Sequence, residues 1–255
     1  MPAQTKERNL EEDIEAFLCS PEGGYLKCDD RHSLLAIDDG SYQMVNGGYM
    51  AHRERALDAV TLVNFIQSTQ PKAWERFERM CNSDPVAKFV KVFDDAVDRL
   101  GMVAVLKHGF KHRGIAFKVA FFQPESGLNE SAAGRYSKNV CRCIRQFHFA
   151  PTGNQTIDMV LDINGIPVVG IELKDQFTGQ DVEDAMRQWS DDRDSRCRCL
   201  KFNTRMMAFF AVDLEDVRMT TRLEDEKTHF LPFNQGSAGA GNDGGAGNPS
   251  NPEGY

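Results

Sequence analysis

Residues 156–174 read TIDMVLDINGIPVVGIELK. Two apolar, β-branched runs flank Asn164-Gly165 in this stretch, which is a strong sequence signal for a β-hairpin. Asp158 lies on the first predicted strand, and Glu172 and Lys174 lie on the second. Carboxylates and lysines rarely occupy core strands unless they pair or hold a metal. Because side chains alternate along a strand, we expect Glu172 and Lys174 to share a face, an arrangement typical of metal-dependent phosphodiester hydrolysis.

The pairing register decides whether these residues can meet. With a regular two-residue turn, Asp158 and Glu172 would point to opposite faces, and a one-residue slip reverses this. Pro167 has no backbone N–H to donate to the neighbouring strand, so an irregularity in the pairing is tolerated at this position. We therefore predict a bulge or an odd-length loop between Asp162 and Val168. Asp162 has the same parity as Asp158, but it lies nearer the turn, and we expect it to face solvent.

Length and composition describe an ordinary globular protein. The chain has 255 residues, 41% hydrophobic and 27% charged, enough to bury one core with embellishments. No apolar run approaches the roughly 20 residues of a membrane span, and the N-terminus lacks an apolar signal core. We therefore expect a cytoplasmic protein that does not interact with membranes. The net charge of −8 argues against tight, independent DNA binding, although DNA could still be delivered by other subunits or domains.

Seven cysteines, an odd number without a secretion signal, indicate reduced thiols. Cys141-Arg-Cys143 and Cys197-Arg-Cys199 resemble two ligand pairs for zinc. Zinc sites usually separate paired cysteines by two to four residues, however, and Cys-x-Cys on a strand simply marks one face. We therefore expect structural thiols.

The hydrophobic period predicts the remaining elements. Residues 1–9 are expected to be frayed, 25–50 irregular and 124–134 a loop. A further helix is expected to begin at a capping box formed by Thr178 and Asp181, with an apolar stripe that includes Trp189. The other predicted helices cover residues 10–18, 53–67, 74–81 and 86–100, the last of them ending at Gly101. The other predicted strands cover 103–108, 114–122, 139–149, 205–213 and 217–223.

Several polar residues could support a site on the hairpin. Helical spacing puts Glu11 on the shoulder of an apolar face and Glu15 farther round, and the alternative for both is a solvated acidic helix. Gln188 lies off the Trp189 stripe and could face nucleic acid or water. Basic residues could contact DNA or form a solvated face, namely Lys111, Arg113, Arg142, Arg145 and His148. Residues 193–198 are expected to form a charged loop.

Short motifs in a fixed order carry a resemblance to a known family. The chain resembles the N-terminal nuclease domain of the restriction (R) subunit of type I restriction enzymes, over roughly residues 100–250 and more weakly at Glu11-x-x-Ile14-Glu15. The motifs are GFK at 109–111, YSKN at 136–139, NGIPV at 164–168, IELK at 171–174, TGQ at 178–180, AMRQW at 185–189 and DRD at 192–194.

The resemblance implies an α/β fold of the PD-(D/E)xK type, a restriction-endonuclease-like mixed central sheet flanked by helices. It implies a type I site-specific deoxyribonuclease in which Asp158, Glu172 and Lys174 are catalytic and the two acids hold Mg²⁺, with Mn²⁺ as a substitute. The expected partners are double-stranded DNA and the modification (methyltransferase) and specificity subunits of a restriction-modification complex.

The resemblance also predicts the domain organisation. Residues 1–233 would form the endonuclease domain, with a helical part at about 10–100 and a sheet-bearing catalytic part at about 101–233. Residues 234–255 are rich in Gly, Asn and Pro, as expected of a linker toward an ATP-dependent, helicase-like translocase. No Gly-x-x-x-x-Gly-Lys-Ser/Thr loop occurs in these 255 residues, so ATP would bind in those motor lobes, and a chain ending in this linker looks cut from something longer.

Two departures from the family pattern and two alternatives remain. Ile157 precedes Asp158 where the superfamily name has proline, and Asp192 stands where related subunits carry a tyrosine four residues after Gln188. One alternative function is a catalytically idle docking module that joins the motor to the modification subunits. The other is a stand-alone repair or junction nuclease of the same superfamily.

Overall fold

The computed structural model describes residues 4–37, 41–124, 129–174, 179–214 and 216–233. The α-helices are α1 (Gln4–Leu18), α2 (Ala59–Thr69), α3 (Pro71–Arg79), α4 (Pro85–Leu100), α5 (Met102–His108), α6 (Glu130–Tyr136) and α7 (Val182–Arg187). A 3-10 segment spans Tyr49–Arg55, and a π-helical turn at Gln188–Asp192 continues α7. The strands are β1 (Leu26–Cys28), β2 (His32–Ala36), β3 (Tyr42–Asn46), β4 (Phe110–His112), β5 (Ile115–Phe117), β6 (Cys141–His148), β7 (Thr156–Ile163), β8 (Ile166–Leu173), β9 (Ala208–Val212), β10 (Val217–Thr220) and β11 (Leu231–Pro232).

A seven-stranded mixed sheet forms the centre of the protein, in the order β1-β6-β7-β8-β9-β10-β11. β1 runs parallel to β6 and β8 runs parallel to β9, and the other pairs are antiparallel. One hydrophobic core is formed by the four helices α2, α3, α4 and α5 with the β4–β5 hairpin. A second core lies between the central sheet, α7 and the π-helical turn. The predicted fold class, a mixed central sheet flanked by helices, is confirmed. No helix among the described residues is both long and apolar enough to traverse a bilayer.

The β7–β8 hairpin contains the predicted bulge. Its two-residue turn has positive φ at both Asn164 (54°) and Gly165 (84°), as a tight hairpin turn requires. Asp162 pairs with Pro167, but Leu161 pairs with Val169, so Val168 is an extra residue without a partner. Beyond the bulge the register places Met159 opposite Ile171, which makes Asp158 and Glu172 lateral neighbours on one face.

The hairpin turn is buried and fixed by its own polar groups. The Asn164 side chain accepts a hydrogen bond from the Val140 amide at 2.7 Å and donates to the Val119 carbonyl at 2.8 Å. The Gly165 carbonyl accepts from the Asp58 amide at 2.9 Å, and a Cβ on Gly165 would lie 2.4 Å from the Asp58 carbonyl oxygen. The turn therefore docks the N-terminal end of α2 on the sheet, and only glycine allows so close an approach.

A buried ionic network lies beside this turn and corrects one prediction. Asp162, expected to face solvent, is 1% exposed. Strand pairing sets Arg142 opposite Asp162, and the Arg142 Nε donates to Asp162 at 2.8 Å. The Tyr49 hydroxyl donates to Asp162 at 2.6 Å, and Arg142 Nη1 donates to Asp58 at 2.8 Å. Arg142, expected among the basic residues around β6, is itself fully buried.

Most predicted elements of the second half are confirmed, with altered ends. Strands occur within the expected ranges 139–149, 205–213 and 217–223. The stripe on α7 is confirmed, with Val182, Ala185 and Trp189 buried. Its capping box is formed by Asp181 and Asp184, while the expected start at Thr178 lies outside the described residues. In the first half, α3 and α4 are confirmed, and Gly101 (φ 83°) ends α4 as expected.

Other predictions for the first half are wrong. Residues 25–50 are not irregular, because β1 joins the central sheet and β2 and β3 form a hairpin. Residues 4–9 belong to α1 rather than to a frayed end. The helix expected over 53–67 begins only at Ala59, after its N-cap Asp58. The strand expected at 103–108 is helix α5, whose apolar residues Met102, Val105 and Leu106 follow the helical period.

The predicted ranges on either side of the β4–β5 hairpin also change. The strand expected over 114–122 is limited to Ile115–Phe117. The loop expected over 124–134 includes the start of α6, where the Asn129 side chain accepts from the Ala132 amide. Residues 234–255, expected to be a linker, lie outside the described residues. The helical part expected at about 10–100 also supplies β1 to the central sheet.

Removing Asp162 is expected to destabilise the fold strongly. Asp162→Ala leaves Arg142 buried with one of its two carboxylate partners, so we expect the free energy of unfolding to fall by about 3–5 kcal/mol. Glu75→Ala is the control, since it breaks an exposed pair with Arg79 whose side chains are 60% and 77% exposed, and we expect it to cost less than about 1 kcal/mol. Urea denaturation measures both, and equal losses would contradict a structural role for the Arg142 network.

Candidate active site

Two carboxylates from neighbouring strands form the centre of the site. Asp158 is half-buried near the start of β7, and Glu172 is 0% exposed near the end of β8. The Asp158 carboxylate accepts a hydrogen bond from the Leu173 amide at 2.8 Å. This bond, together with the register after the bulge, fixes Asp158 beside Glu172.

The electrostatics of this pair are unfavourable without a cation. Burial, followed by the negative charge of Asp158, raises the pKa of Glu172 well above its usual value. Arg193 opposes this shift by donating to Glu172. The Glu172 Oε2 atom is buried without a hydrogen-bond partner. A buried acceptor without a donor is costly, so the two acids offer a favourable place for a positive ion.

Arg193 is a member of the site that the sequence reading missed. It is expected in a charged loop at residues 193–198, and the residue is 6% exposed. Its Nε and Nη2 atoms both donate to Glu172 Oε1, at 2.9 and 2.6 Å. Nη2 also donates to the Thr156 carbonyl at 2.7 Å, and the guanidinium lies 5.0 Å from the centre of the Phe149 ring. The DRD motif at 192–194 was the only sequence signal that pointed to this residue.

Lys174 follows directly after β8 and is 8% exposed. Its amide donates to the Val212 carbonyl at 2.8 Å, so the backbone continues the pairing with β9. The alternation of side chains along an extended strand puts Lys174 on the face of Glu172.

A cavity of about 990 Å³ opens beside Asp158, and α1 contributes to its wall. Glu11 and Glu15 line this cavity, and both are at least 94% buried. Arg145 donates to Glu11 at 2.6 Å and to Glu15 at 3.4 Å, and Lys27 contacts Glu15 at 2.5 Å. Both glutamates are therefore brought to the cavity of Asp158, with their charges balanced there by basic side chains.

The cavity wall includes a strained residue. Gln146, which also lines the cavity, has a positive φ of 51°. It interrupts the β6–β7 pairing between Arg145↔Met159 and Phe147↔Ile157, at the position opposite Asp158. The Gln146 side chain donates to Glu11 at 2.9 Å. Strain of this kind persists where surrounding contacts hold the backbone, often at functional sites.

The other predicted residues lie elsewhere. Lys111 is in β4 and Arg113 is in the turn of the β4–β5 hairpin, which packs on α3 and α4. Gln188 is half-buried at the start of the π-helical turn. None of these three is among the described residues that line the cavity of Asp158. Their proposed DNA contacts stay predictions.

His148 and the cysteines have structural surroundings. The His148 ring contacts Asp30 at 2.7 Å. Burial raises the pKa of Cys143 to about 12, so its thiol stays protonated at neutral pH. No cluster of three or more His, Cys, Asp or Glu side chains suited to a metal occurs within the described ranges.

The oxygen ligands offered by Asp158 and Glu172 suit Mg²⁺ better than zinc. Mg²⁺ is commonly held by one or two carboxylates with water completing its coordination. Asp158 and Glu172 fit this pattern, because both supply hard oxygen ligands and Oε2 of Glu172 has no other partner. Zinc prefers closed sets of four nitrogen or sulfur ligands, which these residues do not supply.

Removing the charge of Asp158 is expected to stabilise the metal-free protein. Asp158→Asn keeps an oxygen that can accept from the Leu173 amide, but it removes the charge that raises the pKa of Glu172. We expect the free energy of unfolding in a chelator to rise, whereas a typical substitution lowers it by about 1 kcal/mol.

Asp29→Asn is the matched control for this prediction. Asp29 lines the same cavity, but it accepts hydrogen bonds from the amides of Arg31 and His32 and contacts the His32 ring at 2.7 Å. This variant should lose stability. A loss of the same size in Asp158→Asn would contradict repulsion between the two acids.

Comparison with known proteins identifies the segment that contains this site. The family model described as type I restriction enzyme R protein N terminus matches residues 104–228, which include Asp158, Glu172, Lys174 and Arg193. No curated protein matches the chain. Over residues 104–228, the chain belongs to the family of type I restriction enzyme R protein N-terminal domains.

Proposed function

We propose that the chain is the nuclease domain of a type I restriction R subunit, which hydrolyses DNA phosphodiester bonds in a Mg²⁺-dependent reaction. One observation carries this proposal. Asp158 and Glu172 lie side by side on adjacent strands, and Glu172 keeps a buried oxygen without a hydrogen-bond partner. The negative charge of Asp158 disfavours ionisation of the buried Glu172, and a divalent cation between the two acids would relieve this repulsion.

Asp158 and Glu172 would hold the ion, and the carbonyl of Leu173 would be a further ligand. A bound Mg²⁺ or Mn²⁺ would supply Lewis-acid polarisation of the scissile phosphate and a water of lowered pKa. The protein contributes the fixed position of both acids, through the Leu173 amide on Asp158 and the Arg193 guanidinium on Glu172. Fixing the ligands before the substrate arrives lowers the cost of reorganisation during the reaction.

Lys174 lies on the same face of the sheet as Glu172, and we propose that it acts on the bound DNA and the attacking water. Its ammonium group would orient the attacking water and stabilise the negative charge that develops on the phosphate oxygens. Its backbone is fixed by the bond to Val212, so its position relative to Glu172 is set by β8 and β9. Attack by the water would break the bond from phosphorus to one ester oxygen of the DNA, and solvent in the open cavity would accept the proton of the water and protonate the departing oxygen.

The pairing of positive and negative side chains at the cavity suggests how DNA reaches the domain. The cavity-lining cations Arg145 and Lys27 are paired with Glu11 and Glu15, and the chain as a whole carries a net charge of −8. Few positive charges are left at the cavity for phosphates, and phosphate contacts dominate DNA affinity. We therefore propose that DNA is delivered by the rest of the R subunit during ATP-driven translocation, together with the modification and specificity subunits.

Divalent ions are expected to stabilise the protein through the two acids. Mn²⁺ at about 100 times its dissociation constant adds about 2.7 kcal/mol, which corresponds to a rise in Tm of about 5–10 °C for a chain of this size. Asp158→Ala and Glu172→Gln should each abolish the rise, while Glu75→Gln on the surface of α3 should keep it. Differential scanning fluorimetry with and without Mn²⁺ measures this effect.

Cleavage separates the nuclease from a catalytically idle docking module. Lys174→Met should keep the Mn²⁺-induced rise in Tm but lower plasmid cleavage by the assembled restriction complex by at least about 100-fold. Lys91→Met, at an exposed position of α4, is the control and should cleave normally. Full cleavage by the Lys174 or Asp158 variant, or an unchanged Tm of the wild-type protein in Mn²⁺, would refute the proposal.

A further inference from the structure

The π-helical turn at Gln188–Asp192 brings Arg193 to the active site from a distant part of the sequence. Within this turn Trp189 is fully buried, and its Nε1 donates to the Phe210 carbonyl at 2.9 Å. A Cβ on Gly170 would lie 2.8 Å from the Trp189 ring, so the absence of a side chain at Gly170 lets the ring pack on β8. The turn is therefore anchored on the same strand that carries Glu172, two residues away. Single π-helical turns occur frequently at functional sites.

Several contacts fix the Arg193 guanidinium independently of Glu172. Nη2 donates to the carbonyl of Thr156, at the start of the strand that carries Asp158. The guanidinium also lies over the Phe149 ring, with 5.0 Å between Cζ and the ring centre. Arg193 thus connects the two strands of the acid pair, and its own position is set by backbone and ring contacts.

Arg193 holds Glu172 through a single carboxylate oxygen, as Arg142 holds Asp162. Glu172 differs from Asp162 in having Asp158 as its lateral neighbour. A guanidinium commonly binds both oxygens of a carboxylate with two parallel hydrogen bonds. Here Nε and Nη2 both donate to Oε1, at 2.9 and 2.6 Å, and Oε2 receives no hydrogen bond although it is buried. The arrangement holds the carboxylate through one oxygen and leaves the second oxygen available as a ligand.

We propose that Arg193 is a positioning residue of the divalent-ion site, which holds Glu172 through Oε1 so that Oε2 serves as the metal ligand beside Asp158. This inference rests on the proposed nuclease function. It adds a residue, Arg193, that orients the metal ligand Glu172 without touching the ion. Loss of such partners typically weakens metal affinity about 10–100-fold.

The test compares Arg193 with a second buried arginine that has the same kinds of partners. Arg205 is 0% exposed, contacts Asp94 at 2.5 Å, donates to the Ala56 carbonyl at 3.0 Å and lies over the Phe93 ring at 5.3 Å. Asp94 also contacts Arg55 and Arg198, so it keeps partners when Arg205 is replaced. Arg205→Gln is therefore a matched control for the loss of a buried guanidinium.

Isothermal titration with MnCl₂ at a temperature well below unfolding measures the result in folded protein. We expect Arg193→Gln to bind Mn²⁺ about 10–100-fold more weakly than wild type. Arg205→Gln should lose stability but keep the wild-type dissociation constant. Arg193→Lys should bind with intermediate affinity, since one ammonium group cannot reproduce the two guanidinium donors that converge on Oε1. A purely structural role for Arg193 would lower stability in both glutamine variants without changing Mn²⁺ affinity.

The outcomes separate this inference from the proposed function. Wild-type Mn²⁺ affinity in folded Arg193→Gln would overturn the positioning role and leave the two-acid site in place. If Arg193→Gln does not fold, wild-type affinity in Arg193→Lys overturns it instead. An absence of Mn²⁺ binding by the wild-type protein would refute the proposed function, and the role of Arg193 would fall with it.

Discussion

One extra residue, Val168, in the pairing of β7 with β8 sets which side chains of these strands become neighbours. Without it, Asp158 would lie opposite Ile171 and point to the other face from Glu172. With it, the two carboxylates lie side by side, and burial of Glu172, followed by the charge of Asp158, raises the pKa of Glu172. The bulge thus converts an ordinary hairpin into a place where a divalent cation is electrostatically favoured.

The rest of the structure holds this register through buried polar contacts. The turn at Asn164-Gly165 is bonded to Val140 and Asp58, so the hairpin cannot slide relative to the helical part. Arg142 bridges Asp162 on β7 and Asp58 at the start of α2. Buried ion pairs are weak sources of net stability, but leaving one member unpaired is expensive. Such contacts penalise alternative registers, in which the charges would lose their partners.

The hairpin and its bulge could be predicted because local signals agreed. Asn-Gly, the β-branched runs and Pro167 all favour one geometry, and the parity of Asp158 and Glu172 then requires the extra residue. The fold class followed from the family resemblance. Gly101 likewise ended α4 as its sequence context predicted.

The failures have a common cause, which is that the deciding partner is distant in sequence. Residues 103–108 carry β-branched side chains, yet they form α5 because the helix packs its apolar face in the core with α4. Asp162 is buried because Arg142, twenty residues earlier, is paired with it across two strands. Arg193 reaches Glu172 only through a π-helical turn, which has no hydrophobic period of its own.

The central claim rests on the geometry of the acid pair, which lies within the residues that match the restriction R protein N-terminal family. Asp158 and Glu172 are proposed to share one divalent ion. The most direct measurement is the anomalous difference density of crystals grown with Mn²⁺. The account predicts one strong peak in contact with a carboxylate oxygen of Asp158 and with Oε2 of Glu172. A peak in contact with Glu11 and Glu15 instead would contradict it. So would crystals grown at a saturating Mn²⁺ concentration that show no peak between Asp158 and Glu172.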